Sequence, residues 1–168
     1  MESKHIVHNL EPVYDSRSRV LILGSLPSVR SREQRFFYGH PQNRFWRVLA
    51  ALFKSDVPQT ISEKKYLLLE NGIALWDVIS ECDIIGSSDA SIKNVIPTDI
   101  TPILDSANIS GIFVNGAAAG KIYKKHQLSV TGREAAVLPS TSPANASWSF
   151  ERLVEAWQMI LKCEDKNV

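Results

Sequence analysis

The feature that most constrains the fold is a set of four short apolar runs with longer, helix-like stretches between them. Each run ends in a small or polar residue, which is typical of a buried strand followed by a turn. The runs are residues 20–24 (VLILG), 73–77 (IALWD), 112–115 (IFVN) and 135–139 (AAVLP). Strands that alternate with helices predict an α/β fold, a three-layer α/β/α arrangement around a four-stranded parallel central sheet.

Three helices between and after these runs carry clear sequence signals. Pro41 suits the first position of a helix whose apolar residues recur at helical spacing up to residue 53. Thr60 and Glu63 form a capping-box pattern for a second helix. Ser149 is a predicted N-cap for the last helix, which shows one continuous apolar stripe.

The chain has the length of one domain, with 168 residues and no repeat or linker. We therefore predict a single domain over residues 1–168, with frayed ends at 1–10 and 163–168. The N-terminal residues carry charges throughout, which argues against a signal peptide, and no apolar run approaches the roughly 20 residues of a membrane span. We expect a cytoplasmic protein with reduced thiols.

The potential ligands and motifs predict neither a metal site nor a phosphate-binding loop. Cys82 and Cys163 form no CxxC pair and cannot supply the four thiolates of a usual iron–sulfur cluster. Residues 24–27 and 116–121 contain glycines, but their spacing does not fit a phosphate-binding loop. No GxSxG motif, which would mark a nucleophilic serine, is present. His5 and His8 fall in the end predicted to fray. The other two histidines, His40 and His126, have no potential metal ligands nearby in the sequence.

Charge is distributed unevenly although the formal net charge is only +1. Residues 28–54 carry six cationic side chains against one acidic one, a local net charge of +5, whereas residues 71–110 carry a local net charge of −5. The basic segment could contact phosphates, which keeps a polyanion partner open. A solvated helix face is the alternative interpretation.

The loop after the first predicted strand combines aromatic residues with arginines. In a parallel sheet the functional crevice lies at the carboxyl ends of the strands, which directs attention to this loop. Phe36, Phe37 and Tyr38 could stack on bases while the arginines meet phosphates, or the aromatics could belong to the core. Asn43 falls in the first turn of the helix predicted to begin at Pro41, where it could reach the crevice or act as a local capping group.

The loop after the fourth predicted strand, residues 138–147 (LPSTSPANAS), is also unusual. It contains several hydroxyl side chains, two prolines and an asparagine ahead of a helix. Such a stiff loop, rich in hydrogen-bond donors, could hold a phosphate.

Together these loops make the family recognisable. The chain resembles the uracil-DNA glycosylase superfamily, and within it most resembles the hypoxanthine-DNA glycosylase branch, with the mismatch-specific uracil/thymine glycosylases as the next relatives. The motifs extend over nearly the whole chain and occur in order: GSLPS, YGHPQNRFW, GIALWDVI, GSSDASI, FVNG and LPSTSPANA. The resemblance implies a monomeric base excision repair enzyme that flips a deaminated base out of DNA, hydrolyses its N-glycosidic bond and needs no cofactor.

The resemblance also implies roles for individual residues. Asn43 would position the attacking water, Tyr38 would stack on the flipped base, and Asp77 falls where uracil-specific relatives carry a base-reading Asn. Leu26 departs from the Asp or Asn that related branches place in the water-activating loop. The base pocket is predicted to contain Gly24, Ser25, Leu26, Pro27, Tyr38, His40, Asp77 and Asn115. The predicted DNA contacts are Arg30, Arg32, Arg35, Ser140, Thr141, Ser142, Pro143, Ala144, Asn145, Ala146 and Ser147, with residues 140–142 on phosphates and 143–146 as a wedge.

Three classes of function remain open from the sequence. A DNA glycosylase is favoured, with hypoxanthine ahead of uracil or a mismatched pyrimidine as the excised base. A non-catalytic lesion-binding protein would keep the wedge and the basic segment, and Leu26 is the feature that favours it. An enzyme of free nucleosides would need neither, and its activity would be indifferent to salt.

Overall fold

The computed structural model describes residues 2–163, which form two β-sheets with helices packed around them. The strands are β1 (Ser3–Val7), β2 (Val20–Gly24), β3 (Ile73–Asp77), β4 (Ile79–Ile85), β5 (Lys93–Pro97), β6 (Gly111–Asn115) and β7 (Ala136–Leu138). The helices are α1 (Val29–Gln34), α2 (Phe45–Leu52), α3 (Ile61–Glu70), α4 (Thr101–Ser106), α5 (Ala117–Ile122), α6 (Leu128–Thr131) and α7 (Phe150–Trp157). A π-helical turn joins α5 to α6.

The central sheet confirms the predicted four-stranded parallel architecture. Its strand order is β3-β2-β6-β7, and every neighbouring pair is parallel. Strand β6 begins one residue before the predicted start, and β7 is one residue shorter at each end than the predicted run. The chain leaves β2 towards β3 on one side and later returns to its other side with β6, so the sheet has a topological switch point between β2 and β6.

Alternate strand residues supply two separate cores, one on each face of the central sheet. Val20 and Ile22 join the cluster that contains the apolar residues of α2, α3 and α7. Leu21 and Leu23 join the opposite cluster, built with the smaller sheet and residues of α4 and α5. Because both faces of β2 are covered, its sequence is apolar without interruption.

The three-stranded antiparallel sheet was not predicted, and it corrects the expectation of a frayed N-terminus. Strands β1, β4 and β5 lie in the order β1-β4-β5, with Ser3 opposite Ile85 and Val7 opposite Glu81. The side chains of β1 are largely exposed, so its sequence lacks an apolar pattern and backbone pairing holds it in place. At the other end, Cys163 packs half-buried against the core, and the rest of the predicted frayed segment, 164–168, lies outside the described residues.

The helix predicted to begin at Pro41 begins four residues later, at Phe45. Residues 41–42 form a turn, and Asn43 precedes the helix rather than lying in its first turn. The predicted caps at Thr60 and Ser149 are confirmed, since each side chain accepts a hydrogen bond from a backbone N–H in the first turn. None of the helices in the described part of the chain is both long and apolar enough to cross a membrane.

Candidate active site

A cavity of about 280 Å³ lies at the carboxyl ends of β2, β3 and β6, beside the topological switch point. The segments that follow the four strands of the central sheet contribute to its wall. The lining residues include Gly24, Ser25, Leu26, Pro27, Arg32, Phe37, Tyr38, Asn43, Asp77, Asn115, Ser140, Thr141, Ser142 and Ala144. The volume lies just below the roughly 300–1,000 Å³ of sites for drug-sized ligands, so the cavity suits a single small ring system.

One side of the cavity is a chain of uncharged hydrogen bonds through Thr141. The Thr141 hydroxyl donates to Asn43 Oδ1 over 2.8 Å and accepts from Asn115 Nδ2 over 3.0 Å. The backbone N–H of Thr141 donates to Asn115 Oδ1 over 3.1 Å. We call these three residues the amide relay; it ties the end of β6 to the start of α2.

The orientation of the Asn43 amide follows from its partners. Its Oδ1 also accepts a hydrogen bond from the backbone N–H of Phe45 over 3.0 Å. A backbone N–H can only donate, so this contact identifies Oδ1, and both lone pairs of that oxygen are in use. The Nδ2 amino group of Asn43 is therefore the end that can bind a further acceptor.

Thr141 and Arg44 have structural contacts that the sequence analysis missed. Thr141 is fully buried, and its hydroxyl serves the amide relay, which contradicts the predicted phosphate contact. The Arg44 guanidinium donates to the carbonyl oxygens of Ser142, Asn145 and Trp148, so one cation of the basic segment holds the 139–149 loop instead of facing solvent. No periodicity or motif in the sequence signals either contact.

The aromatic cluster divides between core and cavity. Phe36 and Phe37 are buried in the core, as the alternative interpretation held, although Phe37 also reaches the cavity wall. Tyr38 has a positive φ of 53° and stacks on Phe45 with ring centroids 4.0 Å apart. Its hydroxyl is buried without a hydrogen-bond partner in the described chain, and burial, followed by the negative charge of Asp77, raises the pKa of the phenol, which stays an O–H donor.

The other side of the cavity is formed by Asp77, whose side chain is held by His8. His8 Nε2 lies 2.7 Å from Asp77 Oδ2, and the two side chains are only 3% and 4% exposed. The Leu10 backbone N–H donates to His8 Nδ1, which places the ring proton on Nε2. The sequence analysis assigned His8 to a frayed end; the pairing of β1 with β4 is what brings it to Asp77.

Asp77 reaches the cavity because Gly24 has no side chain. A Cβ at Gly24 would lie 2.5 Å from Asp77 Oδ1 and 2.8 Å from the Tyr38 hydroxyl oxygen, both too close. Oδ1 has no hydrogen-bond partner among the described residues, whereas Oδ2 binds His8. The cavity wall therefore holds one carboxylate oxygen with free lone pairs.

The remaining predicted site residues fall into two groups. Ser25, Leu26, Pro27 and Asn115, which were predicted for the base pocket, line the cavity, and so does Arg32, which was predicted as a DNA contact. Leu26 also packs against the core below. His40 is not among the lining residues, since its ring accepts a hydrogen bond from the Gln42 backbone N–H in the turn before α2. Arg30 and Arg35 are exposed beside the cavity on α1 and its C-cap.

The loop predicted to enter the duplex is held in shape by its own polar groups. The Asn145 side chain donates to the Ser140 carbonyl oxygen, and the Ser142 hydroxyl accepts from the Ala144 backbone N–H. The remaining members of the predicted wedge and its flank are exposed; they are Pro143, Ala144, Ala146 and Ser147. Among residues 2–163, no group of three or more His, Cys, Asp or Glu side chains is arranged to hold a metal ion.

Comparison with known proteins identifies the family that this site serves. The profile of the Uracil DNA glycosylase superfamily matches residues 11–161, which is most of the chain. The chain belongs to the uracil DNA glycosylase superfamily. The fold, the enzyme class of DNA glycosylase and the resemblance stated from the sequence are thereby confirmed, and damaged DNA is the substrate that the family acts on.

Similar proteins include two curated relatives from archaea. A protein named Hypoxanthine DNA glycosylase from Methanosarcina acetivorans is 34% identical over 152 residues, covering 89% of this chain and 94% of its own. One of the same name from Methanosarcina barkeri is 36% identical over 137 residues, covering 80% and 85%. The solution NMR structure of a Methanosarcina acetivorans protein assigned to the uracil DNA glycosylases superposes with a TM-score of 0.79 at 32% identity, covering 94% of this chain and 98% of that one.

Proposed function

We propose that this superfamily member excises hypoxanthine from DNA by hydrolysing the N-glycosidic bond and leaving an abasic site. The observation that carries the proposal is the cavity at the switch point of the sheet, which has the Asn43 amide on one side and the free oxygen of Asp77 on the other. The names of the two archaeal relatives support hypoxanthine as the base. A monofunctional, cofactor-free monomer in the cytoplasm belongs to the same proposal.

The chemistry that the cavity can perform is limited by the residues it contains. Breaking the glycosidic bond builds positive charge on the sugar and negative charge on the departing base. An amide does not titrate near neutral pH, so Asn43 cannot take a proton and acts by holding water or a substrate oxygen. Positioning and electrostatic stabilisation then supply most of the rate enhancement.

The amide relay defines how Asn43 would hold its ligand. Because Oδ1 is occupied by Thr141 and Phe45, the amide donates through Nδ2 towards the attacking water or a sugar or phosphate oxygen. A donor fixed by two hydrogen bonds needs little reorganisation when charge develops in the transition state. Leu26 adds an apolar wall beside it and supplies no hydrogen bond through its side chain.

The DNA contacts that we propose lie around the cavity. Arg30, Arg32 and Arg35 would bind phosphates, and Ser140 and Ser142 on the cavity edge would do the same. Residues 143–146 form the wedge that occupies the space of the flipped base. Tyr38 presents the ring face not covered by Phe45 for stacking.

The test compares excision among four substrates in otherwise identical duplex and single-stranded oligonucleotides. They contain hypoxanthine, uracil, xanthine or a G·T mismatch, and alkaline scission reveals abasic sites. The fastest product formation is expected from hypoxanthine. Faster excision of uracil or mismatched thymine would favour a uracil or mismatch glycosylase; the description of the Methanosarcina acetivorans structure as a uracil DNA glycosylase supports uracil. DNA binding without abasic product from any substrate would indicate a non-catalytic lesion-binding protein.

A further inference from the structure

We propose that His8 is a positioning residue for base selection, which holds the Asp77 carboxylate so that Oδ1 faces the cavity as a hydrogen-bond acceptor. The inference rests on the proposed function, because it takes the cavity as the place where a flipped base binds. It adds a residue from the N-terminal segment to a site whose other members come from the loops of the central sheet. Neither the superfamily match, which begins at residue 11, nor the motifs of the sequence include His8.

The hydrogen bonds of His8 define its protonation state. Leu10 N–H donates to Nδ1 over 3.2 Å, so Nδ1 carries no proton, and Nε2 must donate to Asp77 Oδ2 over 2.7 Å. If both ring nitrogens carried a proton, the Nδ1–H of His8 would point at the backbone N–H of Leu10. His8 therefore meets Asp77 with an N–H donor, and Oδ2 is the acceptor of that hydrogen bond.

The geometry leaves one oxygen of Asp77 for a ligand. Oδ2 accepts from His8, and the Asp77 backbone carbonyl accepts from the Thr98 hydroxyl over 2.7 Å. Oδ1 lies over Gly24 and has no hydrogen-bond partner among residues 2–163. The carboxylate cannot turn over to offer a donor, because an ionised carboxylate has none. At this point the cavity wall can accept a hydrogen bond from a ligand, and it repels a ligand atom that presents a lone pair.

A hydrogen-bond acceptor that cannot donate can distinguish a deaminated base from its parent base. When adenine becomes hypoxanthine, its ring nitrogen N1 changes from a lone-pair acceptor to an N–H donor, and N3 changes in the same way when cytosine becomes uracil. Asp77 Oδ1 would accept this N–H and repel the lone pair of the parent base. A site built around one such hydrogen bond discriminates strongly, because the wrong base leaves a buried polar group unpaired.

His8 is needed for this discrimination because a carboxyl group that acquires a proton becomes a donor. A protonated Asp77 could donate to N1 of adenine, and an Asn at this position could present its NH₂ group. The Nε2–H of His8 opposes protonation at Oδ2 and prevents rotation of the side chain. Removing His8 is therefore expected to weaken the choice between deaminated and normal bases rather than the hydrolysis of the bond.

The experiment measures binding of uncleavable bases, so that selection is separated from chemistry. Duplexes carry 2′-fluoro-deoxyinosine or 2′-fluoro-deoxyadenosine opposite an abasic analogue, so neither base is paired; the fluorine destabilises a cationic sugar and blocks cleavage. The wild-type protein is expected to bind the inosine duplex about tenfold more tightly or better, the size of one hydrogen bond to a charged group. His8→Ala and Asp77→Asn are expected to bring the affinity ratio close to one.

Two further variants separate positioning from folding. His8→Gln keeps an N–H donor at the place of Nε2, so it is expected to retain most of the wild-type ratio of affinities for the inosine and adenosine duplexes. His5→Ala removes a histidine of the same segment that contacts Glu81 and Asp83 outside the cavity, and the ratio is expected to stay at the wild-type value. Thermal unfolding of each variant shows whether it is folded.

The outcomes distinguish this inference from the proposed function. An unchanged ratio in folded His8→Ala, or an equal loss of affinity for both duplexes, would overturn the role of His8. A wild-type ratio near one would overturn it even if hypoxanthine is excised. A wild-type preference that His8→Ala abolishes would support the inference even if another deaminated base proves to be the better substrate.

Discussion

The two sides of the cavity differ in charge, and the difference separates two tasks. On one side the amide relay, Asn43, Thr141 and Asn115, contains no group that titrates near neutral pH. On the other side Asp77 presents a carboxylate, and the buried His8 ring holds it with 2.7 Å between Nε2 and Oδ2. A neutral donor can hold water or a phosphate oxygen without repelling it, whereas a carboxylate favours a base that presents an N–H.

This division assigns chemistry and selection to different elements of the fold. The relay joins the start of α2 to the end of β6 and the 139–149 loop, and the charged pair joins β3 to the segment after β1. Changes on the relay side should alter the rate of bond cleavage, and changes on the charged side should alter which base is bound. Four substitutions test that separation.

The largest effect is expected from Asn43→Ala. The substitution removes the only side chain of the relay that we propose to touch the reacting atoms, and loss of one such preorganised group lowers kcat by about 10²–10³-fold. Single-turnover excision measures the rate, and a filter-binding assay checks that affinity for DNA is retained. Near-wild-type cleavage would exclude Asn43 from catalysis.

A capping control accompanies Asn43→Ala, because Asn43 Oδ1 also accepts the Phe45 N–H at the start of α2. Thr60→Ala removes a comparable cap from α3, where the hydroxyl accepts from the Glu63 N–H over 3.1 Å. Each loss costs about 1 kcal/mol of stability. Thr60→Ala is expected to leave the excision rate unchanged, and an equal loss of activity in both variants would attribute the effect to helix stability.

The second effect in size is expected from Gly24→Ala on the charged side. The added methyl group would lie 2.5 Å from Asp77 Oδ1 and displace it. Overpacking of this kind costs about 1–3 kcal/mol of stability, and loss of the hydrogen bond from the base costs about 1.5–3 kcal/mol, or about ten- to 150-fold in affinity. The loss should appear in binding of the uncleavable inosine duplex. Gly132→Ala is the control for a general loss of stability, because nothing lies within 4 Å of the new atom but the positive φ of 66° strains alanine there. A normal affinity in Gly24→Ala would mean that the base does not approach Asp77.

The central sheet could be predicted from sequence, and the smaller sheet could not, for a physical reason. Strand β2 is covered on both faces, so each of its residues is apolar and the run is visible in the sequence. Strand β1 is exposed along most of its length and is positioned by hydrogen bonds to β4. Backbone groups are the same in every residue, so a strand that depends on pairing alone leaves little pattern in its side chains.

The candidate site shows the same limit. Asn43, Tyr38, Asp77 and Asn115 lie at strand ends or in motif loops, where the sequence directs attention, and all four line the cavity. The partners that orient them come from elsewhere in the chain: His8 is 69 residues from Asp77, and Thr141 is 98 residues from Asn43. A contact over such a separation depends on the folded topology and not on local spacing.

A third, smaller effect is expected from Thr141→Val on the relay side. Valine keeps the volume but leaves the Asn115 Nδ2–H without its acceptor and Asn43 Oδ1 with a single donor. Because small misplacements of a positioning group are costly, we expect about a tenfold lower excision rate with unchanged base preference. Thr141→Ser keeps the hydroxyl and should retain most of the rate. A changed ratio of inosine to adenosine binding in Thr141→Val would show that the two sides of the cavity are coupled.

The smallest effect is expected from His5, whose ion pairs lie outside the cavity on the sheet that also carries the His8 segment. Hydrogen bonds to Asp83 and Glu81 raise the pKa of His5 above 6.5, and hydrogen bonds from Asn94 and His5 hold the pKa of Asp83 below 3.8. His5 contributes to stability below pH 6.5, and this contribution is lost as the pH rises through the folded-state pKa of His5. Asp83 contributes above pH 3.8, and its contribution is lost as the pH falls through the folded-state pKa of Asp83.

The pair therefore stabilises β1 only in the window between the two folded pKa values. His5→Ala should lower the thermal midpoint slightly at a pH below 6.5, where the wild-type ring is charged, and leave it unchanged well above that value. Both groups are exposed, so the shift should be small and should shrink in high salt. A shift of the thermal midpoint of equal size at both pH values would mean that His5 acts through packing. A change in base preference in His5→Ala would mean that the exposed pair and the buried His8–Asp77 pair are not independent.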